Sequence, residues 1–192
     1  MMIIEGKTYS KPLFVFAMES EAGAKFDDVQ TVFTGLGKVN AGYRLMKSIA
    51  DSNPDLIINM GTAGSNSFNR GDVVCCTGFI QRDMNVSALG FNVFQTPFES
   101  MPVILKNGIQ LSGFPEGTCG SGDNFEVGHN SDAYNVIDME AYALAKIAFL
   151  ENIPFMCLKY ITDGADDDAA ADWNDSIQHA SEKLRASVEK LF

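Results

Sequence analysis

A few carboxylates and one run of small residues have the types and positions that could do chemistry in this 192-residue chain. Glu19 and Glu21 stand at and just beyond the apolar segment 13–18, Asp163 follows the apolar segment 155–162, and Glu140 sits at the start of a helical stretch. Gly61-Thr62-Ala63-Gly64 follows a further apolar segment, 56–60. If those segments are neighbouring strands, the carboxylates gather on loops at one sheet edge, an arrangement suited to general acid/base work on a bound small molecule. Each also has a plainer use. Glu19 and Glu21 could be solvated residues of a first helical turn and 61–64 a tight turn, with Glu140 a charge favoured by a helix dipole and Asp163 a cap.

Several other devices are excluded. Gly35-Leu36-Gly37-Lys38-Val39-Asn40 lacks the third glycine of a dinucleotide-binding turn, and no GxxxxGK[ST] phosphate loop occurs. The acidic run 163–172 lacks the alternating ligands and central glycine of a calcium loop and reads as a solvated loop capping the last helix. The cysteines, Cys75, Cys76, Cys119 and Cys157, form no CxxC, and the only histidines are His129 and His179, so zinc spacing is absent. No metal or cofactor is expected, and the cysteines read as reduced core residues, with Cys75 and Cys76 on opposite faces of a strand.

The elements that must position these groups follow from periodicity and punctuation. Strands are predicted over 13–18, 31–34, 56–60, 73–80, 135–138 and 155–162, and helices over 39–50 and 139–151. The stretch 81–122 is irregular, rich in Gly and Pro, and offers only short strand candidates. Trp173, Ile177, Ala180, Leu184, Val188 and Leu191 recur at three- and four-residue spacing, making one apolar stripe on a C-terminal helix with Asp172 as its N-cap. Alternating strands and helices imply a three-layer α/β/α arrangement around a central, mostly parallel mixed sheet. The length suits one domain over 1–192.

Composition narrows the partners. Acidic residues outnumber basic ones 25 to 14, for a net charge of -11, and no basic stripe exists to track phosphates, which disfavours nucleic acid. The start of the sequence does not read as a signal peptide and no apolar run is long enough to span a bilayer, so a cytoplasmic location away from membranes is expected.

Six segments in order, Phe16-Ala17-Met18-Glu19-Ser20-Glu21, Gly35-Leu36-Gly37-Lys38-Val39-Asn40-Ala41, 54–64, Ser121-Gly122-Asp123-Asn124-Phe125, Asp138-Met139-Glu140 and Thr162-Asp163, resemble those of the methylthioadenosine/S-adenosylhomocysteine nucleosidases. These belong to the nucleoside phosphorylase superfamily, and the resemblance spans nearly the whole chain. It implies a nucleoside phosphorylase-like fold and hydrolysis of the N-glycosidic bond of a purine nucleoside or 5′-substituted adenosine. Carried over position by position, it implies that Glu21 activates the attacking water. Asp163 would protonate N7 of the leaving purine, and Glu140 would bind the ribose hydroxyls with Met139 beneath the sugar. Phe125 would stack on the base while backbone groups at Glu126 read its edge. Met18, Thr62, Ala63, Gly64 and Lys159 match further substrate-binding positions. The 5′ group would lie in an apolar pocket formed by Trp173 together with Leu89, Phe91 and Pro97, partly supplied by the second subunit of a homodimer.

The chain departs from the family in places. Lys159 stands where Arg is usual, Thr62 replaces Ser, Glu126 holds a usually apolar position, and the chain is shorter than typical members, mainly between Gly90 and Gly117. Two alternatives remain. A phosphorylase would use phosphate in place of water, but it needs cationic clamps and no Arg lies near Met18, 35–40 or 61–64. A catalytically silent nucleoside-binding protein would have no use for both a proton donor and a water-holding carboxylate.

Overall fold

The computed structural model describes the backbone of every residue except 127, 129, 130 and 166–168, and all other side chains save those of 170–172, 174, 175 and 178. The chain opens with a two-stranded hairpin, β1 (Met2–Ile4) and β2 (Lys7–Tyr9), turned through Glu5 and Gly6, both at positive φ. Then come β3 (Pro12–Phe16), the short helix α1 (Glu19–Ala22), β4 (Thr31–Phe33), α2 (Lys38–Ser52), β5 (Leu56–Gly64) and β6 (Val73–Gln81). After the irregular stretch, with β7 (Leu105–Lys106) inside it, follow β8 (Glu116–Ser121), β9 (Val136–Asp138), α3 (Ala141–Leu150), β10 (Phe155–Asp163) and α4 (Ala169–Val188).

One mixed sheet takes all strands from β3 onward, in the order β10-β6-β8-β9-β5-β3-β4 with β7 on β6. The pairings of β3 with β4, β3 with β5, β5 with β10, β6 with β8 and β8 with β9 are parallel; those of β6 with β10, β6 with β7 and β5 with β9 are antiparallel. Because β10 pairs with both β5 and β6, and β9 pairs with both β8 and β5, the path β5-β10-β6-β8-β9 returns to β5 as a ring. Periodicity reports which residues are apolar, not which strands meet, so this closure is invisible in the sequence.

Apolar residues cover both faces, giving the expected three layers. On one side α2 contributes Ala41 and Leu45, and α3 contributes Ala141, Leu144, Ala145 and Ala148, to a core with Leu13, Val15, Ile57 and Ile161. On the other, Ala180, Leu184 and Val188 of α4 pack with Phe14, Phe16, Phe26, Leu158 and the hairpin residues Met2, Ile4 and Tyr9. Cys75 and Cys76 are fully buried, one in each core.

Three local expectations need correction. The run 61–64 is not a turn: it stays extended as the end of β5, paired alongside β10. Asp172 does not cap α4, which already begins at Ala169, since Ala169-Ala170-Ala171 is a strongly helix-forming start. The Asp172 side chain, and residues 166–168 of the acidic run, lie outside the described residues. The Gly-containing segment 116–121 forms a full strand, β8, inside the stretch that looked irregular; an added Cβ at Gly117 would come within 2.8 Å of Val74, and one at Gly120 within 2.6 Å of Tyr134. Small residues there serve close packing against the neighbouring strands and the approach to β9, not a turn.

Candidate active site

Glu19 and Glu21 part company within one helical turn. Glu19 is exposed, whereas Glu21 is only 3% exposed. Glu21 Oε2 accepts hydrogen bonds from the backbone amides of Ala17 and Met18, both at 3.1 Å, and Oε1 accepts from the Thr62 amide at 2.7 Å and the Thr62 hydroxyl at 2.8 Å. That hydroxyl in turn accepts a bond from Trp173 Nε1 at 3.1 Å. Gly61 makes the approach possible, because a Cβ there would stand 2.9 Å from Glu21 Oε1.

Asp163 ends β10 just after an irregularity in register between Ile161 and Asp163 that sets it opposite Gly64. A bulge of this kind re-aims a side chain at a strand end. Asp163 Oδ2 accepts from the Thr162 hydroxyl at 2.8 Å and Oδ1 from the Ala165 amide at 3.0 Å. A Cβ on Gly64 would fall 2.6 Å from Oδ1, so only glycine admits the carboxylate.

Glu140 precedes the first residue of α3, yet its main partner is elsewhere: the amide of Gly37, at the start of α2, donates to Oε1 at 2.7 Å. Gly37 has φ +86, a conformation that favours glycine. Glu140 is 6% exposed. Burial pushes its carboxyl up to about 7, and the neighbouring Asp138 charge adds to the rise. Glu140 reaches the site through ring closure, since β9 meets β5 antiparallel at Gly64 and Ile137. It does not come from a row of parallel strand ends.

The three carboxylates border one cavity of about 380 Å³. Thr62, Ala63, Gly64, Met18 and Trp173 line it too, and Met139 stands next to Glu140. Phe125, half exposed, lines it together with Glu126. Such a volume and mostly apolar lining with a few convergent polar groups suit a small organic ligand. Among the described residues, no cluster of His, Cys, Asp and Glu could hold a metal ion.

Residues 23–192 match the Phosphorylase superfamily. The chain belongs to this superfamily. Among its relatives, the 5′-methylthioadenosine/S-adenosylhomocysteine nucleosidase of Haemophilus influenzae (strain PittEE) is 27% identical over 185 residues, 86% of this chain and 81% of that protein. The nucleosidase of the same name from Staphylococcus aureus (strain MRSA252) is 28% identical over 187 residues, 85% of this chain and 82% of that protein. Among solved structures, the Helicobacter pylori nucleosidase superposes with a TM-score of 0.83 at 17% identity, over 96% of this chain and 100% of the other. The futalosine hydrolase of Helicobacter pylori gives 0.83 at 17% identity, over 95% and 98%. At such identities the superpositions speak for the fold, a nucleoside phosphorylase-like one as expected.

Within this superfamily site, four expected residues stand apart. Lys159 does not line the cavity: it is fully enclosed and its Nζ lies 2.8 Å from Asp138 Oδ2. A buried ammonium requires a partner, and among the described residues Asp138 is the one in reach. Leu89, Phe91 and Pro97 lie on the excursion after β6 and line none of the single chain's cavity; Leu89 is 75% exposed and Phe91 packs on Phe98 with ring centroids 5.3 Å apart. Other residues were missed from sequence. Arg82 borders the cavity, with Nη1 2.7 Å from Glu126 Oε2 and 2.9 Å from Asn124 Oδ1, and Nη2 2.5 Å from the Asn124 carbonyl. Lys38 ties Asp83 (2.6 Å) to Asp123 (2.9 Å), fastening the start of α2 to the loop after β8. The unusual Glu126 was the one available signal: a carboxylate at an apolar position implies a cation nearby.

Proposed function

We propose that the chain hydrolyses the N-glycosidic bond of a purine nucleoside or a 5′-substituted adenosine, releasing free base and sugar. The supporting observation is the convergence of Glu21, Glu140 and Asp163, drawn from three distant segments, on one nucleoside-sized cavity. Cleavage builds positive charge on the sugar and negative charge on the base, so it calls for carboxylates beside the first and a proton donor beside the second. Asp163 donates its proton to N7 as the bond from base nitrogen to the anomeric carbon breaks, and the base leaves neutral. Water attacks the anomeric carbon and yields its proton to Glu21. Of the four donors on Glu21 among the described residues, three are backbone amides and one is the Thr62 hydroxyl, so the hydroxyl is the one able to give way to a water. Glu140 accepts from the sugar hydroxyls, Met139 packs beneath the ring and Phe125 covers the base.

Hydrolysis is favoured over phosphorolysis because Arg82, the cation bordering the cavity among the described residues, is already committed to Glu126 and Asn124, and Glu21 would repel phosphate. The whole chain acts as one domain. It works as a homodimer, with Leu36 at the cavity edge before α2 and Val39, Tyr43 and Met46 on α2 all exposed, and with Leu89, Phe91 and Pro97 available to a second copy's 5′ pocket. The free thiols suit a reducing cytoplasm, and among the described residues no helix is long and apolar enough to cross a membrane. Chromatography of free base released from methylthioadenosine, adenosylhomocysteine, adenosine and inosine, with and without phosphate, tests this reading. Base release from at least one, independent of phosphate, is expected; binding without release from any of the four would overturn it in favour of a binding protein.

A further inference from the structure

The proposed reaction gives Trp173 no task beyond walling the cavity, yet its indole nitrogen makes a specific contact. Nε1 donates to the Thr62 hydroxyl at 3.1 Å, and that hydroxyl donates to Glu21 Oε1 at 2.8 Å. Chemistry fixes the direction of this chain. An indole nitrogen only donates, so the Thr62 oxygen accepts there and the single hydroxyl proton is left for the carboxylate. The Thr62 amide reaches the same oxygen of Glu21 at 2.7 Å.

Trp173 has no need of this bond for its own sake. It is only half-buried, so solvent could meet its N–H without a partner in the chain. Nor does the bond anchor the helix, because Ala180, Leu184 and Val188 of α4 are fully buried in the core. One turn beyond Trp173, the Ser176 hydroxyl donates to the Thr162 carbonyl at 3.2 Å. Residues three apart share a helix face. This face of α4 is therefore seated on the end of β5, through Thr62, and on the end of β10, through Thr162, where Glu21 and Asp163 are held.

We infer that Trp173 is a positioning residue for water attack: its N–H pins the Thr62 hydroxyl beside Glu21, so that the incoming water enters between a fixed hydroxyl and a fixed carboxylate. When the water takes the hydroxyl's place on Oε1, the indole keeps the Thr62 oxygen from swinging away. The water yields its proton to Glu21 as its oxygen bonds to the anomeric carbon, and neither the indole nor the hydroxyl gains or loses one. Thr62 is β-branched, with few side-chain rotamers to choose from, so one donor is enough to select the rotamer that faces Glu21. The inference rests on the reading of Glu21 as the group that activates water.

A wall acts through the bulk of the ring, whereas a brace acts through the N–H and needs the Thr62 hydroxyl. The test is steady-state kinetics on methylthioadenosine or adenosine, whichever is cleaved faster, with the wild type, Trp173→Phe, Thr62→Val and the two substitutions together. Alongside it, the indole N–H signal of the single tryptophan is followed by proton and nitrogen-15 NMR in the ligand-free wild type, Thr62→Val and Thr62→Ser. Trp173→Phe keeps an aromatic ring and should lower kcat roughly three- to tenfold, the worth of one hydrogen bond, with KM within about twofold. Thr62→Val should lower kcat at least as much, and adding Trp173→Phe to it should cost nothing more. The indole signal should move in Thr62→Val and stay in place in Thr62→Ser, which keeps the hydroxyl. Wild-type kcat in Trp173→Phe, a loss confined to KM, or an equal further loss in the double variant overturns the inference, as does an indole signal unmoved by Thr62→Val. Should Thr62→Val fail to fold, the kcat of Trp173→Phe decides alone. An indole signal that responds to Thr62→Val in a protein that cleaves no nucleoside would support the bond and overturn the hydrolase reading instead.

Discussion

The two ends of the cavity are built on different principles. At the end holding Glu21 and Glu140, carboxylates are gripped by backbone: the amides of Ala17, Met18 and Thr62 hold the first, and the amide of Gly37 the second. At the other end, Phe125 and Glu126 are steadied by a side chain, through the contacts of Arg82 with Glu126 and Asn124. Apart from proline, no substitution removes a backbone donor, so the first end keeps its geometry while neighbouring side chains vary. Side-chain contacts can be altered one residue at a time. On the proposed assignment, the groups that carry out bond cleavage sit where the sheet dictates their place, and those that recognise the base sit where a few changes can retune the site.

Substitutions at the two ends sharpen this contrast. The largest effect is expected from Asp163→Asn, which removes the proposed proton donor: turnover should fall by about 10² to 10⁴ while nucleoside binding persists. Binding can be followed by the fluorescence of Trp173, the single tryptophan of the chain, and wild-type turnover in the variant removes the general-acid assignment. Next is Gly64→Ala, whose methyl would meet Asp163 Oδ1 at 2.6 Å. Displacing the carboxylate by a fraction of an ångström to an ångström should lower kcat on the order of 10²-fold, read by steady-state kinetics. A fully active variant would show that strand backing does not set the geometry.

At the recognition end, Arg82→Met should leave kcat within a few fold and raise KM on the order of tenfold, the worth of a charged hydrogen bond. It should also change the ratio of KM between adenosine and inosine; a collapse of kcat with KM intact would break the distinction between the two ends. The smallest effect concerns stability. Glu140 rises in the folded chain from an ordinary 4.5 to about 7, so the folded state holds its proton more tightly than the unfolded one. Its ionisation therefore costs stability. That cost is absent below about pH 4.5, grows as pH rises to about 7, and is constant above. Thermal unfolding of Glu140→Gln against the wild type across this window should show the variant gaining relative stability as pH increases, and a constant difference would contradict the shift.

Much of the scaffold was legible because burial imprints itself on residue type. The strands at 56–60 and 155–162, the helix at 39–50 and the stripe through Ala180, Leu184 and Val188 all read correctly from apolar spacing. Trp173 shows the limit of that signal. It continues the stripe by spacing, yet it lines the cavity and donates to Thr62, because the end of α4 near the site overhangs the strand ends instead of the core. Strand β8 escaped notice because its small residues are chosen for close packing, a demand that leaves no periodicity.

The site divides the same way. By itself the sequence determined which carboxylates were available, that no zinc spacing or phosphate loop accompanied them, and that their order resembled one family of nucleosidases. Only the tertiary structure decided that Glu21 is buried and Glu19 is not, that Lys159 answers to Asp138, and that Arg82 reaches the cavity. Those outcomes depend on distances between residues tens of positions apart, set by a sheet closing into a ring, and one-dimensional spacing carries no record of them.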